Sequence, residues 1–289
     1  QALTRPNEVY ILPLDGKPAR PLTSRNKDWL AQVELTPAED FWFEAEDGVK
    51  VHGYLVRPPQ FDSSKKYPLV YLIHGGPQGA WTDEFHYRWN AQLFAAWGYV
   101  AVMVNPRGST GYGQKFTDQI TGDWGGLVYR DLMRGLDYVL ANYSFVDSTR
   151  MGAAGASYGG YMVNWIEGHS RRFKCLVNHD GVYNLESMYA STEELWFPEW
   201  EFGGTPWENP TLYRQWSPHR FAADFATPML VIHGDRDYRV PSEQGLMVYT
   251  TLQRKGIESK MLYFPDEGHW VLDPVNGRIW NETIRQWLD

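Results

Sequence analysis

The string Gly155-Ala156-Ser157-Tyr158-Gly159-Gly160 stands between a short apolar run, Met151 to Gly155, and a segment with helical patterning, Tyr158 to Gly168. No other feature restricts the fold as much. A serine between a strand and a helix on a tight glycine-flanked turn is held proud of a sheet, because the glycines relieve crowding where strand and helix meet at a strained angle. A fold that uses this turn must therefore supply a strand end, a helix start and an open sheet edge at one place.

The rest of the chain supplies them. From Phe41 onward, short apolar runs alternate with longer amphipathic segments, the pattern of a parallel sheet with crossover helices. Strands are predicted near Gly53 to Val56, Leu69 to Ile73, Tyr99 to Val104, Met151 to Gly155, Cys175 to Asn178, Met229 to His233 and Lys260 to Phe264. The central runs are nearly all apolar, as expected where both sheet faces are covered. Helices are predicted over Glu84 to Trp97, Gly126 to Asn142, Tyr158 to Gly168, Ser242 to Lys255, with Ser242 as its cap, and Asn276 to Leu288. The stretch Tyr189 to Trp216 fits neither period and reads as a lid-like insertion.

Composition narrows the function classes. The chain is 43% hydrophobic and 16% aromatic with 14 Trp, which excludes disorder and supports a large core. A net charge of −8 argues against a nucleic-acid surface. Apolar runs such as Tyr99 to Val104 are too short to cross a bilayer, so no membrane association is expected. Cys175 has no second cysteine to pair with, and no CxxC or HExxH spacing is present, so no metal or organic cofactor is implied. There is no signal-peptide pattern, and the compartment stays open.

A serine nucleophile needs a histidine base, and the base needs a carboxylate that orients it. In α/β-hydrolases these follow in the order Ser, Asp or Glu, His, each on a loop after a strand. Here Met229 to His233 leads into Gly234-Asp235-Arg236-Asp237, and Lys260 to Phe264 leads into Pro265-Asp266-Glu267-Gly268-His269. The expectation is an α/β fold of this type, a mostly parallel central sheet with helices on both faces, carrying Ser157, Asp237 and His269. Asp235 is the rival acid, read as bracing the turn; His179 and His233 are read as packing or hydrogen-bonding residues near the same edge. Oxyanion donors are expected from the backbone N–H of Tyr158 and of Gly76 in His74-Gly75-Gly76-Pro77. Gly108-Ser109-Thr110-Gly111-Tyr112-Gly113 lacks the Lys-Ser/Thr ending of a phosphate loop and reads as a structural turn. Glu193-Glu194 reads as a solvated acidic pair, with recognition of a cationic group as the alternative.

Five strings in order, His74 to Pro77, Asn105 to Gly113, Gly155 to Tyr161, Ile232 to Asp237 and Glu267 to His269, resemble the catalytic domain of the prolyl oligopeptidase family, closest in flavour to its acylaminoacyl-peptidase and dipeptidyl-peptidase V branch. The resemblance implies a serine peptidase acting on short peptides through an acyl-enzyme, of dipeptidyl- or acylaminoacyl-peptidase type. It places Arg239 where a polar side chain binds a substrate backbone carbonyl. It makes Gly181 to Tyr189 a wall of the pocket for the residue before the scissile bond, with Val182, Tyr183, Tyr189 and Trp196 as lining candidates.

The resemblance starts near Phe41. Residues 1–40 read as the tail of an N-terminal β-propeller plus linker, and 41–289 as the catalytic domain, so contact with a propeller is expected. Oligomeric state and exo- against endopeptidase cleavage are not specified, and a homo-oligomer is compatible with the sequence. A carboxylesterase on the same scaffold, or a weakly active fragment needing its propeller, is the alternative reading.

Overall fold

A computed structural model describes residues 1–289. After a two-residue hairpin ladder, β1 (Tyr10–Ile11) with β2 (Arg20–Pro21), and one helical turn, α1 (Lys27–Leu30), the chain enters an eight-stranded sheet. Its strands are β3 (Glu39–Glu44), β4 (Lys50–Val56), β5 (Tyr67–Ile73), β6 (Val100–Asn105), β7 (Val146–Ala156), β8 (Cys175–His179), β9 (Met229–Gly234) and β10 (Ser259–Phe264). They lie in the order β10-β9-β8-β7-β5-β6-β4-β3. The six strands from β10 to β6 are parallel; β4 and β3 extend the edge antiparallel. All seven predicted strands are present. β3 was not predicted, although its burial alternates inward at Phe41 and Phe43 and outward at Trp42 and Glu44, as an edge strand's should.

Alternation along the central strands sends side chains to two cores. Leu69, Tyr71 and Ile73 join Val100, Val102 and Val104 in the larger, while Val70, Leu72, Ala101 and Met103 join the smaller on the opposite face. Helices cover both: α2 (Ala91–Ala96), α3 (Gln114–Asp118), α4 (Leu127–Asn142), α5 (Tyr158–His169), α6 (Leu185–Tyr189), α7 (Trp196–Phe202), α8 (Pro210–Gln215), a 3₁₀ turn (Pro218–Asp224), α9 (Glu243–Arg254) and α10 (Pro274–Leu288).

Two expectations about helices are corrected. The helix predicted over Glu84 to Trp97 begins only at Ala91: Trp89 has φ +50°, which no helix tolerates, and Asn90 Oδ1 accepts the Gln92 N–H at 2.9 Å, capping α2. Ser242 precedes α9 in helical backbone and makes no cap bond, so its side chain does not start the helix. The irregular insertion proves to hold two short helices, α7 and α8, entered directly from the end of α6.

The strand sequence reverses direction at β5, which lies between β6 and β7. Open α/β sheets bind ligands outside the carboxyl ends of strands at such a switch point. The turns carrying Gly76 and Ser157 leave β5 and β7 there.

Candidate active site

Ser157 occupies the turn between β7 and α5 with φ +60° and ψ −120°, a conformation rarely held by a residue with a Cβ. The flanking glycines show why the string is needed. A Cβ on Gly155 would lie 2.5 Å from the carbonyl carbon of Gly159, and one on Gly159 would lie 2.2 Å from the carbonyl oxygen of Ile73. Helix and strand can therefore meet only through bare backbone. The Ser157 N–H is shared by the His179 carbonyl at 3.1 Å and Asp180 Oδ1 at 2.5 Å.

His269 arrives on the loop after β10 and Asp237 on the loop after β9. Nδ1 of His269 donates to Asp237 Oδ2 at 2.7 Å, while Asp237 Oδ1 accepts the N–H groups of Arg239 (3.0 Å) and Val240 (2.9 Å). Asp237 is buried and held from both sides. Asp235, the rival acid, is exposed and takes the Tyr263 hydroxyl instead, bracing the turn as expected. Burial alone would lower the His269 pKa, but the carboxylates of Asp180 and Asp237 outweigh it and hold the imidazole above its ordinary value. Ser157 Oγ and His269 make no direct hydrogen bond here; in unliganded sites that link is commonly long and tightens with substrate.

His74 braces the turn after β5. Its Nδ1 lies 2.8 Å from the Gly75 carbonyl, which can only accept, so Nδ1 carries the proton and Nε2 accepts from the Ser109 hydroxyl at 2.9 Å. Burial lowers its pKa and keeps it neutral. The glycine-rich Gly108 to Gly113 stretch is thus a structural turn that supports the neighbouring turn. A Cβ on Gly75 would stand 3.1 Å from the Ser157 Cβ, so the Gly75 backbone passes against the serine, with Gly76 next in the chain.

One cavity of about 530 Å³ is lined by Ser157, His269, Gly76, Tyr158, Arg239, Val182 and Trp196. Tyr183 and Tyr189, expected in its wall, are not part of it. The Tyr183 hydroxyl bonds Thr251 at 3.0 Å and that of Tyr189 bonds Glu199 at 2.7 Å, so both rings turn into the core behind the wall. Their places are taken by Met188, from the segment expected to form the wall, and by Trp124 and Phe197, which sequence reasoning did not identify. Glu194 also faces the cavity and pairs with Arg239 at 3.1 Å, whose guanidinium lies 5.0 Å from the Trp270 ring centre. A larger groove of about 970 Å³ at the β3 edge, beside Trp42 and Tyr138, offers neither serine nor histidine.

Asp180 was also missed. It follows β8 directly, is buried, and its Oδ2 lies 3.5 Å from His269 Nδ1 and 3.4 Å from His179 Nε2. Donor atoms of Asp180, Asp237 and His269 fall within 4.8 Å of one another. Because both carboxylates face Nδ1, the nitrogen already engaged by Asp237, the trio is built as an ion-pair cluster around one imidazole proton.

The prolyl oligopeptidase family profile matches residues 85–289. Dipeptidyl-peptidase 5 of Schizosaccharomyces pombe is 49% identical over 260 residues, 89% of this chain and 38% of its own length. Its namesake from Porphyromonas endodontalis is 40% identical over 294 residues, 100% of this chain and 42% of its own. Among solved structures, an acylaminoacyl peptidase in complex with Z-Gly-Gly-Phe-chloromethyl ketone matches with TM-score 0.92 at 32% identity, covering 99% of this chain and 46% of that one. The acylaminoacyl peptidase of Pyrococcus horikoshii matches with TM-score 0.91 at 31% identity, covering 100% and 46%. The chain thus spans 38–42% of the length of these curated relatives.

Proposed function

The chain belongs to the prolyl oligopeptidase family, and on that premise we propose that it is the catalytic domain of a serine peptidase that cleaves short peptides through an acyl-enzyme. The observation that carries the reading is the buried Asp237–His269 pair, 2.7 Å long, opening on the same cavity as a serine held at φ +60°. Ser157 Oγ attacks the scissile carbonyl carbon while its proton passes to His269 Nε2. The oxygen's charge is taken by the N–H groups of Tyr158 and Gly76. As the C–N bond breaks, His269 returns the proton to the leaving amine; water then repeats the sequence against the acyl-serine. Asp237 fixes the Nδ1–H tautomer throughout.

Apolar lining from Val182, Met188, Trp124, Phe197 and Trp196 supports a preference for an apolar residue before the scissile bond. Arg239 binds a substrate carbonyl, its charge moderated by Glu194. Dipeptidyl- or acylaminoacyl-type cleavage follows the relatives. Residues 1–40 are read as the tail of a β-propeller and its linker, a reading supported by a hairpin that leaves Leu12 and Leu14 on the surface.

A fluorophosphonate probe tests the chemistry. Labelling of the wild-type chain is expected and Ser157→Ala should abolish it; label retained in the variant sinks the assignment. Matched aminoacyl p-nitrophenyl ester and anilide substrates test the bond type: hydrolysis of the ester alone would make the chain a carboxylesterase on this scaffold.

A further inference from the structure

Asp180 is a buried carboxylate to which the acyl-transfer steps assign no role, and its position is costly. Its backbone sits at φ +42°, in the left-handed region that residues with a Cβ avoid. It is 1% exposed, and its Oδ2 has no hydrogen-bond partner. A half-satisfied buried carboxylate is a large penalty unless nearby charge compensates it.

Its surroundings show what holds it. The Asp180 N–H donates to the Ile232 carbonyl of β9 at 2.9 Å. The next residue, Gly181, lies against the start of α5 so closely that a Cβ there would approach the Gly160 carbonyl carbon to 2.2 Å. Asp180 is therefore wedged between the serine turn and the histidine. One oxygen accepts the Ser157 N–H at 2.5 Å; the other faces His269 Nδ1 at 3.5 Å, the nitrogen that Asp237 binds at 2.7 Å.

We propose that Asp180 is a positioning residue acting on both reacting groups: through Oδ1 it pins the strained backbone of Ser157, and through Oδ2 it sets a second negative charge against the imidazole of His269. The proposal rests on the reading of Ser157 and His269 as nucleophile and base, and deepens it. When His269 takes the serine proton at Nε2 it becomes an imidazolium, and a second carboxylate against Nδ1 stabilises that cation beyond what Asp237 supplies. Asp237 orients the ring by a short directional bond; Asp180, farther away and unbonded, contributes charge.

The charged and titratable groups around His269 are few. Asp237 and Arg239 come from the loop after β9, His233 from β9 itself, and His179 and Asp180 from the end of β8; Arg88 approaches Asp180 from the loop before α2. His233 is occupied, its Nε2–H donating to the Val240 carbonyl at 2.8 Å. His179 is kept neutral by burial. Arg239 opposes the His269 cation, so the two carboxylates are the groups that favour it.

Asp180→Asn separates charge from structure. Asparagine keeps an acceptor for the Ser157 N–H and tolerates the left-handed backbone, while the negative charge is lost. In histidine-¹⁵N-labelled chain, with the His269 signal assigned by its loss in His269→Gln, the imidazole should titrate at lower pH in Asp180→Asn than in wild type. The acid limb of kcat/KM should move the same way, and kcat on the plateau should fall about tenfold with KM unchanged, a fraction of what general-base catalysis contributes. Should Asp180→Asn fail to fold, Asp180→Ser supplies the same comparison, its hydroxyl accepting the Ser157 N–H. An unmoved His269 titration overturns the proposal even if kcat falls, because a purely structural role predicts that result. The titration needs no turnover, so the two readings fail separately: a wild-type chain that ignores the fluorophosphonate removes the peptidase reading, whereas a labelled chain with an unmoved titration removes only this one.

Discussion

Burial turns His179 into a pH-dependent element of stability. Its ring lies beside Asp180, yet both nitrogens lack hydrogen-bond partners, and burial first, with the neighbouring imidazoles, depresses its pKa to about 4 despite the two carboxylates. A histidine in the unfolded chain titrates near ~6.5. Between those values the unfolded chain holds a proton that the folded chain does not. The contribution is therefore fully present above ~6.5 and is lost as pH falls toward 4, a loss on the order of 3 kcal/mol. In urea titrations at pH 7 and pH 4, wild type should lose about that much more stability than His179→Leu; parallel losses would refute the assignment. At this scale the convergence of Ser157, Asp237 and His269 was legible, because the chemistry proposed for them demands an order and a loop for each. Asp180 was not legible, since nothing in the sequence marks a non-glycine residue at φ +42°. Tyr183 and Tyr189 were misplaced for a related reason: position along the chain puts a residue near a cavity, but the hydroxyl partner decides which way the ring turns.

Elements show the same division. Strands of the parallel core were legible because burial on both faces leaves an unbroken apolar run, whereas the helices of the insertion are short and held by tertiary bonds with no periodicity of their own. Glu201 on α7 supplies one such tie. Its carboxylate accepts Gln78 Nε2 at 2.7 Å and Trp124 Nε1 at 2.8 Å, while its carbonyl accepts the Gly122 N–H at 2.9 Å. Burial raises its carboxyl above the ordinary carboxylate range, and the two side-chain bonds offset only part of that rise. The insertion is thus fastened to the turn that carries Gly76, two residues from Gln78. Glu201→Ala leaves both donors without their acceptor and should cost about 2 kcal/mol or more in thermal unfolding. It should also lower kcat about tenfold by loosening the Gly76 N–H, less than the ~10²–10³ lost when an oxyanion donor is removed. Steady-state kinetics decide the point: a change in KM alone would mean that α7 only walls the cavity.

Across the whole molecule, the cavity is closed by segments far apart in sequence, which is why no local pattern announced its full lining. The first residues are among them. Leu3 is buried in the smaller core and lines the cavity, and its N–H donates to Asp83 Oδ1 at 2.7 Å, while Gln1 Nε2 donates to Glu84 at 3.1 Å. The chain start is thereby fastened to the loop before α2, whose His86, Arg88 and Trp89 also face the cavity. Between Pro6 and β3 the polypeptide buries little: Val9, Ile11, Leu12, Leu14 and Leu22 are all exposed, so Leu3, with Pro6 beside it, anchors the chain start. A charged residue at this position cannot be buried without a partner. Leu3→Asp should therefore release residues 1–12 and 81–90 together, seen as faster amide exchange in both segments, while the amides of β5, β7, β8 and β9 keep their protection because those strands also pack their other face into the larger core, which Leu3 does not touch. Faster exchange confined to residues 1–12 would show that the loop before α2 stands without its anchor, and the cavity's outer wall would then have to be ascribed to that loop alone.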